Sequence, residues 1–333
     1  MMHVAVAPDL ARCRLVAGFL RTLPLPKRLV RQDLFCCDRR LIGNFNALLV
    51  AICHQTQGIS GEVCGRWRRG WDYLETRLDR HCRDVPQFLE IERWRTLSSE
   101  ELNEALALQP MKLSLADIDA RTELIRDLGG RMLDAGYASL EELCGDMGWR
   151  CRGERSIIAF LKTTQAYSDP NEKKARLLIG LLRDAHGWQF KDAHELGAPV
   201  DYHEIRGHLR VGTVIIADRD LNARIGAGNV TSDEDNLVRA AIGDAISAIA
   251  ADLPNHDPLQ VHYILWNFFR AICRREVPAC CLGGAISMNE LDPAFTESFA
   301  EPNIDNPCGF SSFCQSFRTR RFPIEYKYAG TYY

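Results

Sequence analysis

Apolar residues recur at helical spacing along most of this chain, and no segment alternates apolar and polar residues long enough to build a substantial sheet. Residues 44–57 place Phe45, Leu48, Leu49 and Ile52 on one helical face and end in the polar run His54-Gln55-Thr56-Gln57 before Gly58. Residues 86–108 and 119–135 repeat the pattern, the second closing at Gly129-Gly130 or Gly136. Ser139, with Glu142 three residues on, has the form of a capping box. A short helix is expected over 153–165. Another runs from Lys173 to Ala185, introduced by Ser168-Asp169-Pro170 and stopped by Gly187. Helical pattern resumes after Pro199 through Leu209, and again from Thr231-Ser232 with Asp233, Glu234 and Asp235 at its positive end. Residues 258–272 are apolar and aromatic, only 211–216 are β-branched enough for a short extended piece, and the chain from about residue 283 reads as irregular. The expected fold class is mainly α.

At 333 residues the chain can bury one large core or two modest ones, and its 46% apolar and 26% charged content is that of an ordered protein. A net charge of −3 excludes a protein that coats nucleic acid by bulk attraction. Arg66-Trp67-Arg68-Arg69 and Arg318-Thr319-Arg320-Arg321 are local exceptions, each able to meet phosphate or to be a solvated helix face. No apolar run reaches the roughly 18 residues of a membrane span, and no secretory cleavage pattern follows Arg12 and Arg14. A cytoplasmic, monomeric protein with no membrane partner is expected. The odd count of thirteen cysteines then argues for reduced thiols rather than a disulfide framework.

Pro199-Val200-Asp201-Tyr202-His203 sets an acid at a helix start, where Asp201 can serve as a plain N-cap worth about 1 kcal/mol. The stretch from Pro199 to Arg210 also resembles the "VDTH…R" segment of endonuclease III-type DNA glycosylases, the helix-hairpin-helix superfamily. That resemblance implies a catalytic role for Asp201, with His203 and His208 as candidate helpers. Cleaving a C1′–N bond builds oxocarbenium-like charge on the sugar, and one fixed carboxylate can stabilise that charge and activate water. The run from Leu48 to Gln57 is similar to the "LQQTQ" segment of adenine DNA glycosylases. By that resemblance Gln55, Gln57 and His54 would line a base pocket with Tyr202 and His203, an amide being able both to donate and to accept along a base edge. A polar helix end is the plainer reading.

Cys273 and Cys280 are separated by six residues, and Cys308 and Cys314 by five. These outer spacings match the iron–sulfur loop of endonuclease III, C-x6-C-x2-C-x5-C, but twenty-seven residues stand where that loop has two, and Cys281 competes with Cys280. The resemblance implies a four-iron four-sulfur (4Fe–4S) cluster on Cys273, Cys280, Cys308 and Cys314 as a structural staple. Zinc is the alternative, and free core cysteines the plainer reading.

Glycosylases of this superfamily grip DNA with a glycine-rich hairpin, "LPGVG". Its counterpart here, Ser168-Asp169-Pro170-Asn171-Glu172, has no glycine. Phosphate contact would then fall to Lys173, Arg176, Arg66 and Arg68. The alignment sets Arg176, with Lys174 adjacent, at the family's lyase lysine, so Lys174 is a catalytic candidate and a monofunctional hydrolysis is expected. Residues 120–270 also resemble the queuosine salvage N-glycosidase family, on Lys173-Lys174-Ala175-Arg176, Val200-Asp201-Tyr202, Asp235 to Ala241 and Tyr263-Ile264-Leu265-Trp266. The resemblances together imply a two-domain helix-hairpin-helix glycosylase fold. Residues 1–40 would be an N-terminal extension packing on the C-terminal domain, 41–196 a helical barrel with a degenerate hairpin, and 197–333 a helical domain with the aspartate and the cysteines. The implied activity is base excision from DNA, on a bulky or modified base such as phage DNA carries, or alternatively cleavage of a queuosine-type nucleotide.

Overall fold

Polar caps punctuate the helices of the computed structural model, which describes residues 6–30, 32–34, 38–108, 115–299 and 308–326. The outer ends of the expected segments 1–40 and 197–333 thus extend beyond the described residues. The protein is mainly helical. In chain order, β1 (Val6–Pro8) leads to α1 (Leu10–Leu20), capped by Asp9, and α2 (Arg39–Ala51) is capped by Asp38. β2 (Ser60–Val63) and β3 (Arg66–Arg69) form a hairpin that feeds α3 (Gly70–Asp84). Next come α4 (Ile91–Thr96), α5 (Ser99–Leu106), α6 (Ile118–Asp134), α7 (Leu140–Asp146), α8 (Ile157–Leu161) and α9 (Lys173–His186). α10 (Tyr202–Val211), β4 (Val214–Ile216), α11 (Arg219–Ala227), α12 (Ser232–Ala251) and α13 (Pro258–Ala271) follow. The short helices α14 (Thr296–Phe299) and α15 (Gln315–Thr319) close the described chain. Among the described residues no helix is long and apolar enough to cross a membrane.

Several segments differ from the sequence reading: the helix of 44–57 ends at Ala51, the irregular end holds the short α14 and α15, and three more differ for a clear local reason. The helix expected over 86–108 breaks into a 3-10 turn at Pro86–Leu89, α4 and α5, because Ser98 and Glu101 form a complete capping box that starts a new helix. The helix expected over 153–165 is confined to α8, whose N-cap is Ser156. Arg66-Trp67-Arg68-Arg69 is a strand, not a helix face. Cys64 and Gly65 both take positive φ (52° and 72°), the left-handed pair that joins tightly linked antiparallel strands, and Glu62 stands opposite Trp67. By contrast, α9 ends at Gly187 with φ 69°, its amide returning to Arg183, and α12 opens on a capping box between Thr231 and Glu234.

The described residues of Gln32–Ala193 form one compact unit, and those of Met1–Arg31 and His194–Ala329 another. In the first, α2 is the central element: Phe45 and Ala47–Ala51 are all buried, and α3, α6, α7 and α9 pack around it. The second is built on α10, α12 and α13. α1 lies along α12, and β1 pairs antiparallel with β4 through Val6 and Ile216. α10 meets α13 where Gly207 lies under the Phe269 ring, so close that a Cβ on Gly207 would overlap ring carbons. Both helices are well packed there, so the ring has little room to yield. Gly207→Ala is expected to lower stability by roughly 1–3 kcal/mol, read as a shifted urea midpoint with unchanged slope; an unshifted midpoint would contradict this contact.

Candidate active site

Asp201 is the N-cap of α10. Pro199 keeps helix from starting earlier, and the Asp201 backbone is extended (φ −118°, ψ −174°), which turns its side chain back over the first turn. Oδ1 accepts from the amides of His203 at 2.8 Å and Glu204 at 3.1 Å, and Oδ2 accepts from the indole Nε1 of Trp266 at 3.1 Å. A helix cap needs only the first pair. The indole bond, from α13, fixes the carboxylate in a second direction, and three N–H donors make the place complementary to negative charge.

Half-buried aromatic side chains surround this carboxylate. The Tyr202 and His203 rings lie 4.2 Å apart, His203 meets Trp266 edge to face at 6.0 Å, and Tyr263 stacks on Trp266 at 5.8 Å. Arg270 places its guanidinium 4.5 Å from the Trp266 ring centre. Tyr263, Trp266 and Arg270 fall on one stripe of α13, spaced i, i+3 and i+7. His203 Nδ1 lies 2.8 Å from Arg206 Nη2. Arginine only donates, so Nδ1 accepts and a neutral ring carries its proton on Nε2. Trp266, Tyr263 and Arg270 had no assigned role in the sequence reading. Their signal was the aromatic stripe of 258–272, which also describes an ordinary core helix.

Behind Asp201, α10 is buried together with its charges. Glu204 is fully buried between His208 (3.1 Å) and His262 (2.9 Å), at ion-pair distance though not aligned for hydrogen bonding. Burial raises the pKa of Glu204, but the two imidazoles outweigh it and hold the carboxyl below its ordinary range. His208, a candidate helper from sequence, instead bonds Thr213 and lies inside the unit. Arg206 donates to the carbonyls of Phe269 and Cys273 and pairs with Glu325 at 3.0 Å. Arg210 reaches the carbonyls of Cys273, Arg274, Arg275 and Pro323.

Those two arginines bring the cysteine segments to α10. Cys273 Sγ lies 3.6 Å from Arg210 Nη1, and Cys314 Sγ lies 3.2 Å from the Arg210 carbonyl. Hydrogen bonding from Cys308 draws Cys280 down to about 6 against the effect of burial, and both Cys308 and Cys314 feel the charge of Cys273 and Cys280. The four thiols therefore share one neighbourhood, with Cys281 beside Cys280. Among the described residues, no three His, Cys, Asp or Glu side chains stand in an arrangement ready to hold a metal ion.

The remaining sequence candidates lie in the other unit. After α2 the chain turns through Gln55 at φ 46°, leaving Gln55 and Gln57 exposed and His54 buried. Burial first, then the cations Arg121, Lys174 and Lys173, drive His54 down to about 2, so its imidazole is neutral. Lys174 is fully buried and donates to the Ala51 carbonyl at 2.6 Å. Arg121, also fully buried, donates to the carbonyls of Ile52, His54 and Ala116. Together they satisfy carbonyls that the end of α2 leaves without intrahelical partners.

The turn before α9 is built without glycine, Glu172 taking the left-handed conformation (φ 58°). Asp169, fully buried, accepts from the amides of Asn171 and Lys173, and Glu172 gathers Arg176, Lys162 and Arg152 at 3.1–3.7 Å. Lys173 is buried and Arg176 is tied to Glu172, whereas Arg66 is exposed and Arg68 half-buried on β3. No protein-family model matches the chain, and no curated protein matches it.

Desolvation lowers the pKa of Lys174 to about 7. Between there and its ordinary value of 10.5 the unfolded chain binds the extra proton. The contribution of Lys174 to stability is therefore unfavourable below pH 7 and recovers as pH rises towards 10.5. Relative to Lys174→Met, the parent protein should gain stability from pH 7 to 9 in paired denaturant titrations. A stability difference that stays flat over that range would mean the ammonium remains charged in its site.

Proposed function

We propose that this chain is an N-glycosidase that hydrolyses the bond between a modified base and its sugar in DNA, with Asp201 as the catalytic carboxylate. The observation that carries the reading is the fixing of Asp201 from two directions, by the α10 amides and by Trp266, beside a wall of Tyr202, His203, Tyr263 and Trp266. As the C1′–N bond lengthens, positive charge grows on the sugar and the carboxylate stabilises it without reorganising. Water adds to C1′ and gives its proton to Asp201, the base leaves with the bonding electrons, and that proton passes from Asp201 through solvent to the base, which regenerates the carboxylate. The aromatic wall suits a flat base held by stacking. Lys174, whose amine is spent on the Ala51 carbonyl, is better read as a structural hydrogen-bond donor than as a lyase nucleophile, which favours simple hydrolysis. This reading carries with it the two-domain helix-hairpin-helix glycosylase fold.

The same reading takes the cysteines as a donor set by their chemistry and shared neighbourhood, not by a preformed metal-holding arrangement. Cys273, Cys280, Cys308 and Cys314 would hold a 4Fe–4S cluster, or zinc, as a staple on the loop that Arg206 and Arg210 already bind. Cys273→Ser and Cys314→Ser should each remove bound iron and visible absorbance from anaerobically purified protein. Stoichiometric zinc in a colourless parent would assign the site to zinc instead.

A second reading, cleavage of a free queuosine-type nucleotide, is favoured by one observation: Asp169 and Glu172 occupy the turn before α9 with the protein's own acids. Incubation with DNA carrying varied modified bases, followed by alkaline cleavage at abasic sites, separates the two. Base released only from free nucleotide would select the second. In either case Asp201→Asn is decisive, because asparagine caps a helix as well as aspartate while removing the charge. Turnover should fall at least about 100-fold while the protein stays folded, with a modest drop in melting temperature because the amide NH2 cannot accept from Trp266; retained turnover would remove Asp201 from the chemistry.

A further inference from the structure

The β2–β3 hairpin carries more cationic and aromatic surface than its place in the fold explains. Trp67 is 58% exposed, in a protein whose other described tryptophans are buried or half-buried. Strand register sets it on the same face as Arg69, with Glu62 directly across. Arg66 and Arg69 are exposed, and Arg68 has a buried Nε with no hydrogen-bond partner. Among the described residues Arg66, Arg68 and Arg69 enter no ion pair, whereas most arginines of α4, α6 and α9 do. Arg80 adds a further cation at the turn, donating to Cys64. A net-negative chain has thus set a local positive charge, with one tryptophan at its centre, on a two-stranded arm.

The arm is also rigidly joined to the loop that bears Gln55 and Gln57. Their 3-10 turn, Thr56–Gly58, runs straight into β2, and Gly70, at the end of β3, donates its amide to Ile59 at 2.8 Å. The turn before α9, by contrast, is filled by Asp169 and Glu172.

We propose that the β2–β3 hairpin is the DNA-holding arm of this protein, Trp67 stacking on an unpaired base while Arg66, Arg68 and Arg69 neutralise the adjoining phosphates. The occupant follows from charge and shape together. Guanidinium groups suit phosphate, an exposed indole offers a stacking face that every base can use, and Arg69 shares that face while Arg66 and Arg68, on the other, add to the local positive potential. The proposal rests on the DNA reading of the active site.

The test is fluorescence anisotropy of the full-length protein with a fluorescein-labelled oligonucleotide, single-stranded and as a duplex holding a tetrahydrofuran abasic site, over a range of salt. Trp67→Ala should weaken binding about tenfold, and Trp67→Phe should restore most of it. Replacing Arg66, Arg68 and Arg69 together by Gln should reduce the slope of log affinity against log salt by about 2 to 3. Melting temperatures should match the parent, since these side chains lie outside the core. If the parent binds DNA and these variants bind equally well, the arm is refuted while the DNA reading stands. If the parent binds neither oligonucleotide, both fall. If Trp67→Ala instead converts a dimer to a monomer on size exclusion with DNA affinity unchanged, the tryptophan serves self-association and the proposal is overturned.

Discussion

Burying the charges of α10 is the constraint on which the unit containing Asp201 depends. Glu204, Arg206, His208 and Arg210 are all at most 2% exposed in a single ten-residue helix. Such groups destabilise a core unless nearly every donor and acceptor is matched. Here the arginine donors are matched, Glu204 sits at ion-pair distance from two imidazoles, and these contacts also organise the chain. Arg206 ties α10 to the end of α13 and to Glu325, Arg210 ties it to Cys273–Arg275 and Pro323, and Glu204 ties it to His262 on α13. The angle and depth of α10 are thereby set, and with them the position of Asp201 at its first turn. Trp266, one turn beyond His262, then donates to the second oxygen, Oδ2, of that carboxylate.

The other unit uses buried cations differently. α2 ends inside the protein, where its last carbonyls have no water to accept from. Lys174 and Arg121 supply the donors, and Tyr167 supplies another to Ala47. These are bonds to neutral carbonyls rather than to carboxylates, so the cationic form of Lys174 is only weakly compensated and desolvation dominates its titration. The same cations suppress protonation of His54, which keeps the segment before Gln55 neutral inside and polar outside.

Much of the helical framework was legible because its signals are local. Thr231 with Glu234, Asp201 before Tyr202, and Gly187 after His186 each act within one turn of the backbone. The hairpin at 60–69 leaves one local sign in the sequence, Cys64-Gly65 between alternating neighbours. Four consecutive residues rich in arginine look alike as helix or strand, and only pairing of Val63 with Arg66 decides. At the candidate site the N-cap place of Asp201 was legible from Pro199 before it and its candidacy as the acid came from the resemblance, while Trp266 and Arg270 were indistinguishable from core residues until α13 was laid against α10.

What the sequence determined by itself is therefore the mainly helical character, the helix boundaries with strong caps, and the extended start of α10 that presents Asp201. Tertiary structure alone decided which carboxylate oxygen meets Trp266, that Cys273 and Cys314 converge on Arg210, and that Lys174 points inward to Ala51 rather than out to solvent. The reason is range. Capping acts between residues a few positions apart, whereas these contacts join residues separated by dozens of positions, and only the packing of helices selects them.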